Sequence, residues 1–147
     1  MISSFEEQLN KTGTLVYYNV GDSMLPLLKE NRDLMVLSVP KCPIKKYDAI
    51  LYKRDNGQYV MHRVIAIRKD GYVLCGDNRF VKEYGVKPEQ VLAILTSVLR
   101  KGKSVSVDTA QYKLYVHLWC DFFVVRAFIL RVVHYFNKIK RKMQNAK

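Results

Sequence analysis

The sequence runs out of acid before it runs out of chain. Beyond Asp121 there is no aspartate or glutamate, yet Arg126, Arg131, Lys138, Lys140, Arg141, Lys142 and Lys147 follow. The formal charge of +12 over 147 residues is therefore largely a property of the C-terminal stretch, and a charge of that sign and placement asks for an anionic partner or surface. Long apolar runs are missing too. Asp121, Arg126 and Arg131 divide the most hydrophobic segment, so nothing approaches the ~18 uninterrupted residues of a spanning helix. The first residues, Met1 to Glu7, lack a basic start and an apolar run, so neither a secretory signal nor an N-terminal anchor is expected. Cysteine is scarce: Cys42, Cys75 and Cys120 are odd in number and have no close-paired spacing. That argues against a disulfide framework and a zinc site, and fits a reducing compartment. No metal or cofactor is called for. There is no internal repeat, no low-complexity segment and no RNA- or DNA-binding motif, so no nucleic-acid partner is expected.

What is present has a clear texture. A hydrophobic fraction of 49%, with 12% aromatic, supports one domain with a real core. Ser4 and Glu7 have capping-box spacing, predicting a short helix over Phe5 to Asn10 that Gly13 stops. Val-, Ile-, Tyr- and Leu-rich runs then predict strands at Leu15 to Val20, Leu34 to Val39, Ala49 to Lys53, Tyr59 to Arg68, Tyr72 to Cys75 and Val91 to Leu99. Asp55-Asn56-Gly57 and Lys69-Asp70-Gly71 have the turn chemistry that makes hairpins of neighbouring strands. A mainly β fold follows, a twisted, partly closed antiparallel sheet. After Lys101-Gly102-Lys103, Asp108 or Thr109 is placed to cap a long amphipathic helix reaching roughly Phe136. Its apolar stripe is Leu114, Leu118, Phe122, Val125, Ile129, Val132 and Phe136, with His117, Asp121, Arg131, His134 and Lys138 opposite and Arg126 off both stripes. The organisation expected is a β-domain over residues 1–104 and an amphipathic helix with a basic tail over 105–147.

One constellation carries chemistry. Gly21-Asp22-Ser23-Met24-Leu25-Pro26 follows an apolar strand and sets a serine between a flexible glycine and a turn-fixing proline. A hydroxyl needs a base to take its proton. His62, in Val60-Met61-His62-Arg63-Val64-Ile65, alternates onto the face of Val60 and Val64, apolar neighbours that keep imidazole neutral. Asp77, in Cys75-Gly76-Asp77-Asn78, lies just past the next strand, where a hairpin returns it toward His62 to hold the ring's tautomer. Each alone has a plainer reading, Ser23 as a turn serine and His62 as a satisfied strand histidine. Asp22 reads as a turn acid, and Arg63 and Arg79 as surface or loop ion-pair partners, since arginine does not act as a base. Lys53 or Lys69 would serve as base only if desolvated.

In this order the motifs resemble type I signal peptidases: Gly-x-Ser-Met-x-Pro, then His-Arg-Val-Ile, then Gly-Asp-Asn. They are most similar to the branch of the endoplasmic reticulum, archaea and some Gram-positive bacteria, which uses histidine where the typical bacterial enzyme uses lysine. The resemblance spans Val20 to about Val98. It implies a serine endopeptidase that cleaves after small residues at the end of a hydrophobic signal or leader segment, with Ser23 as nucleophile, His62 as general base and Asp77 as its partner. It puts the branch's further acid at Glu83, and sets Met24 and Pro26 along the substrate groove. Three departures stand out. Gly21 replaces a serine that often helps bind the oxyanion. Asn31-Arg32-Asp33-Leu34 and Lys46-Tyr47-Asp48-Ala49 keep the family's aspartates but lose its glycines. The usual N-terminal membrane helix is not seen. The Gly-Asp-Ser-Met-x-Pro turn is shared with LexA-type autoproteases, which need a lysine base, a self-cleavage site and usually a DNA-binding domain ahead; the twenty residues before Gly21 are too few for that.

A competing reading is a noncatalytic, degenerate protease-like module that binds anionic membrane through its basic tail. The C-terminal helix itself has two readings: its stripe packs on the β-domain as core, or residues 114–147 lie on an anionic membrane surface. The second is preferred, making the protein a peripheral membrane one.

Overall fold

In the computed structural model, which describes residues 5–145, eight antiparallel strands form one open sheet. Helix α1 (Phe5–Thr12) leads into β1 (Thr14–Tyr18); Ser4 of the expected capping box lies outside the described residues. Then come β2 (Asp33–Ser38), β3 (Ala49–Lys53), β4 (Tyr59–Arg68), β5 (Gly71–Cys75), β6 (Glu83–Val86), a 3-10 turn (Pro88–Gln90), β7 (Val91–Arg100) and β8 (Lys103–Ser106). The strand order is β1-β2-β7-β3-β4-β5-β6. Strand β7 is the hub. One edge pairs with β2, while β3 takes Val91 to Ile94 of the other edge and β8 takes Ser97 to Arg100.

The expected strands all form, β3 and β4 with the predicted bounds and the others within two residues. The short β6 and β8 were not expected. The sheet does not close, since β1 and β6 end its path. Two apolar clusters explain the strand texture. Leu15, Met35, Leu37, Leu51, Met61 and Leu95 face one, and Ile50, Tyr52, Val64, Leu74 and Val86 the other. Successive side chains of a strand point to opposite faces, so β3, buried on both, reads as an unbroken apolar run with Ala49 to Tyr52 all buried.

The single long helix expected after residue 108 is two: α2 (Ala110–Cys120) and α3 (Phe123–Asn145). Thr109 caps α2, its side chain accepting from the Tyr112 amide. The break falls at Asp121, whose carboxylate is held by the Tyr47 hydroxyl and, at 3.0 Å, by His117. The stripe turns out to face away from the sheet. Leu114, Leu118, Phe122 and Phe136 are each at least 58% exposed. The docked face is the one that carries Tyr112, Val116, Arg126 and Leu130, all buried. Tyr112 and Val116 join the sheet's own cluster, so the core crosses the boundary drawn at residue 104. His134, expected on a solvated stripe, is half-buried beside Phe80.

Candidate active site

The register of the sheet assembles the site around His62. Ile50 pairs with His62 and Tyr52 with Val60, so Tyr52 and His62 share a face of the β3–β4 hairpin, one pair apart. Leu74 pairs with both Val64 and Glu83, which carries Glu83 onto that same face from β6. The side chains meet: the Tyr52 hydroxyl lies 3.2 Å from His62 Nδ1 and donates to Glu83 Oε1. Arg54 closes the far side, its Nε 2.9 Å from Glu83 Oε2.

Chemistry fixes the direction of this relay. Burial pushes the Glu83 carboxyl up, but the hydrogen bonds from Arg54 and Tyr52 and the Arg54 charge outweigh it and hold its pKa below the usual range. Glu83 is therefore ionised at neutral pH and only accepts. The Tyr52 proton goes to Glu83, so the phenol oxygen accepts from His62 Nδ1–H. Nε2 then carries the lone pair. Burial of the ring lowers its pKa to about 4, which keeps the imidazole neutral and ready to take a proton.

The ring carbon next to Nε2 lies beside Gly76, as does the backbone of the serine turn. A β-carbon placed on Gly76 would lie 2.6 Å from the Ser23 carbonyl oxygen and 3.1 Å from His62 Cδ2, the ring carbon next to Nε2. Glycine is required there because the serine turn and the histidine both close on that one position. The Asn78 amide also donates to the Ser23 carbonyl at 2.8 Å. Ser23 itself is half-buried, and among the described residues neither its hydroxyl nor its amide is hydrogen-bonded. Ser23, His62, Arg79 and Glu83 line one cleft of about 590 Å³, with Tyr17, Met35 and Tyr59 supplying apolar walls. Gly21, at φ 80°, makes the turn into the serine and ties its amide to Glu30 at 3.0 Å.

Asp77 belongs to a different network. Both carboxylate oxygens are taken by Arg63, at 2.8 Å from Nε and 2.7 Å from Nη2, and the Tyr115 hydroxyl adds a third bond at 2.9 Å. Both partners are fully buried. No hydrogen bond joins Asp77 to His62 among the described residues. Strand parity gives the reason: His62 and Arg63 are consecutive on β4 and point to opposite faces, and Asp77 turns with Arg63. Arg63 is thus an ion-pair partner, as expected of it, but in the core and not at the surface. It also donates to the Tyr47 carbonyl at 2.8 Å and the Tyr112 hydroxyl at 3.1 Å. Trp119 Nε1 donates to the Asp77 carbonyl at 2.7 Å, and Arg126 Nη2 to the Arg79 carbonyl at 2.8 Å. Helices α2 and α3 therefore clamp the Gly76 to Arg79 loop on which the Ser23 carbonyl rests.

Tyr47 occupies a backbone conformation that favours glycine. Tyr47 sits at φ 80°, a conformation that costs a bulky residue on the order of 1–3 kcal/mol. Its amide bonds to Val64, its carbonyl to Arg63 and its hydroxyl to Asp121, so the neighbours over-determine it.

Two expected groove residues stand elsewhere. Met24 is fully buried in the core cluster beneath the turn, and Pro26 is exposed away from the cleft. The apolar Met24 side chain is favoured in the core, whereas the turn leaves Pro26 at the surface. Lys53 pairs with Glu6 at 2.8 Å and Lys69 is exposed beyond the cleft, so neither is a desolvated base. Asp22 pairs with Arg79 at 2.6 Å. Sequence reasoning missed Tyr52 and Arg54; the only signal for them was the strand register.

No protein-family model matches the chain, and no curated protein or solved structure matches it.

Proposed function

We propose that the protein is a serine endopeptidase, similar to type I signal peptidases, that removes a signal or leader segment from a protein substrate. The observation that supports it most is the convergence of an unbonded serine hydroxyl and a neutral, oriented histidine on one cleft. Ser23 Oγ attacks the scissile carbonyl while His62 Nε2 takes its proton. The Ser23 amide, left without an acceptor, donates to the oxyanion. His62 then gives the proton to the leaving amine, and water releases the acyl group from Ser23 by the reverse transfers. As His62 becomes imidazolium, its Nδ1–H is held by Tyr52 with the Glu83 charge behind it. Tyr52 and Glu83 take the orienting role that the resemblance gives to Asp77. Among the described residues strand β1 pairs only with β2, and its Tyr17 and Tyr18 border the cleft, so an extended peptide has an edge beside Ser23 to pair with.

The test is cleavage of a peptide with an apolar stretch ending in small residues, by the parent chain and by Ser23→Ala and His62→Ala. Both variants keep the parent's far-UV circular dichroism and lose turnover by at least about 10³-fold. Turnover retained in either overturns the assignment. An inactive parent chain favours the noncatalytic, degenerate module instead.

A further inference from the structure

Helix α3 has two unlike faces, and only one is used. Arg126 and Leu130 are buried against the domain. At about 100° per residue, Val125, Phe128, Ile129, Val132 and Phe136 fall on the far side, and they are 54, 68, 44, 38 and 63% exposed. Ile139 and Met143 extend the same arc, also exposed. The arc runs along a helix of 23 residues, roughly 34 Å at 1.5 Å each. Basic side chains border it, Lys140 on one flank and Lys138 and Lys142 on the other. From Tyr135 to Gln144 every side chain is exposed, so the helix leaves the domain there.

We infer that this face of α3 docks the protein on an anionic lipid surface, the apolar arc entering the boundary between headgroups and acyl chains and the flanking lysines meeting lipid phosphates. Charge decides among occupants. A second copy would bring its own basic helix against this one, and with no acid after Asp121 neither helix offers the other an ion pair. An anionic bilayer satisfies both features at once: apolar depth under the arc and negative charge at its borders. No helix among the described residues is long and apolar enough to cross a membrane, and an interfacial helix needs no such length. The face is free while α3 stays docked, because Arg126 holds the Gly76 to Arg79 loop from the other side. The cleft is thereby held at a fixed attitude to the lipid.

Vesicle flotation of the full chain tests this without any reference to peptidase activity. With vesicles of seven parts phosphatidylcholine to three of phosphatidylglycerol, the protein floats, and much less does so with phosphatidylcholine alone. Each basic residue is worth about a five-fold gain in partition near such a surface, so joint replacement of Lys138, Lys140 and Lys142 by glutamine lowers anionic binding by about two orders of magnitude. Phe128→Ser with Phe136→Ser, both exposed and outside the core, abolishes flotation on either vesicle with unchanged circular dichroism. Ser23→Ala floats as the parent does, so failure of the peptidase reading leaves this one standing. Absence of flotation on anionic vesicles, whether or not the chain sediments as a dimer, overturns the inference, as does flotation that survives the three glutamines.

Discussion

His62 and Arg63 are neighbours in the chain and opposites in the molecule. Each reaches a carboxylate, His62 through Tyr52 to Glu83 and Arg63 directly to Asp77. The first network opens onto a cleft and ends in a neutral ring; the second is sealed and ends in a buried ion pair. The same sheet thus carries a neutral imidazole on one face of β4 and a fixed strut on the other. A charge pair that is fully hydrogen-bonded can be buried, whereas a base has to stay uncharged to be buried and useful.

The comparison breaks most visibly at Asp77. Asp77→Ala leaves the Arg63 guanidinium buried without its counter-charge, at a cost of about 3–5 kcal/mol. Thermal unfolding reads this as a large fall in Tm or as failure to fold. Arg63→Met combined with Asp77→Leu recovers most of the loss, which an orienting role for Asp77 in catalysis would not predict.

The second difference is in pH. The folded-state pKa of His62, about 4, lies below the ordinary value of 6.5, so between those values the unfolded chain binds the extra proton. Stability is fully present above pH 6.5 and is lost as pH falls toward 4, by about 3 kcal/mol at the 1.36 kcal/mol of one pKa unit. Denaturant titrations at pH 7, 5.5 and 4.5 measure it, and His62→Gln removes that share of the slope. Over the folded range, kcat/KM holds through pH 5.5, with its acid limb near 4 and not near 6.5.

Tyr52→Phe separates the networks at the level of rate. It leaves the Arg63–Asp77 pair untouched and removes the acceptor of Nδ1–H, lowering kcat/KM roughly 10²-fold while shifting Tm by little. Glu83→Gln behaves similarly and moves the acid limb down, since the Glu83 charge raises the His62 pKa. Arg54→Gln is the mildest. The Arg54 charge lowers the His62 pKa, so its loss moves the acid limb up, with kcat/KM changed within about threefold.

The sequence disclosed one of these networks better than the other. Ser23 and His62 stand in motifs whose local chemistry is readable: a glycine-led turn and an apolar alternation. The Tyr52 to Glu83 link needs two strand registers, and register is set by packing and turn geometry that a linear reading does not contain. Parity alone, with His62 and Arg63 on opposite faces, would have warned that Asp77 has to choose. Strands β3 and β4 were legible because their runs are dense and their turn explicit. Strands β6 and β8 were not, because Glu-Tyr-Gly-Val and Lys-Ser-Val-Ser are too short and too polar to alternate visibly. Along the C-terminal helices the apolar stripe was legible, and of its two readings the structure removes packing on the β-domain; the face that docks instead was not legible. The docked face was chosen by hydrogen-bonding tips, Tyr115, Trp119 and Arg126, which a hydropathy pattern counts for little.

The clamp on the Gly76 to Arg79 loop also has a meaning in time. A ribosome releases Ser23 and His62 long before Trp119 and Arg126, and domains take shape as their residues emerge. The loop that carries the Asn78 amide to the Ser23 carbonyl gains its last supports from Trp119 and Arg126, far downstream of the serine and the histidine. A nascent chain that stops short of α2 and α3 therefore holds the serine and the histidine beside a loop not yet pinned, and the cleft takes its shape only once those helices have emerged.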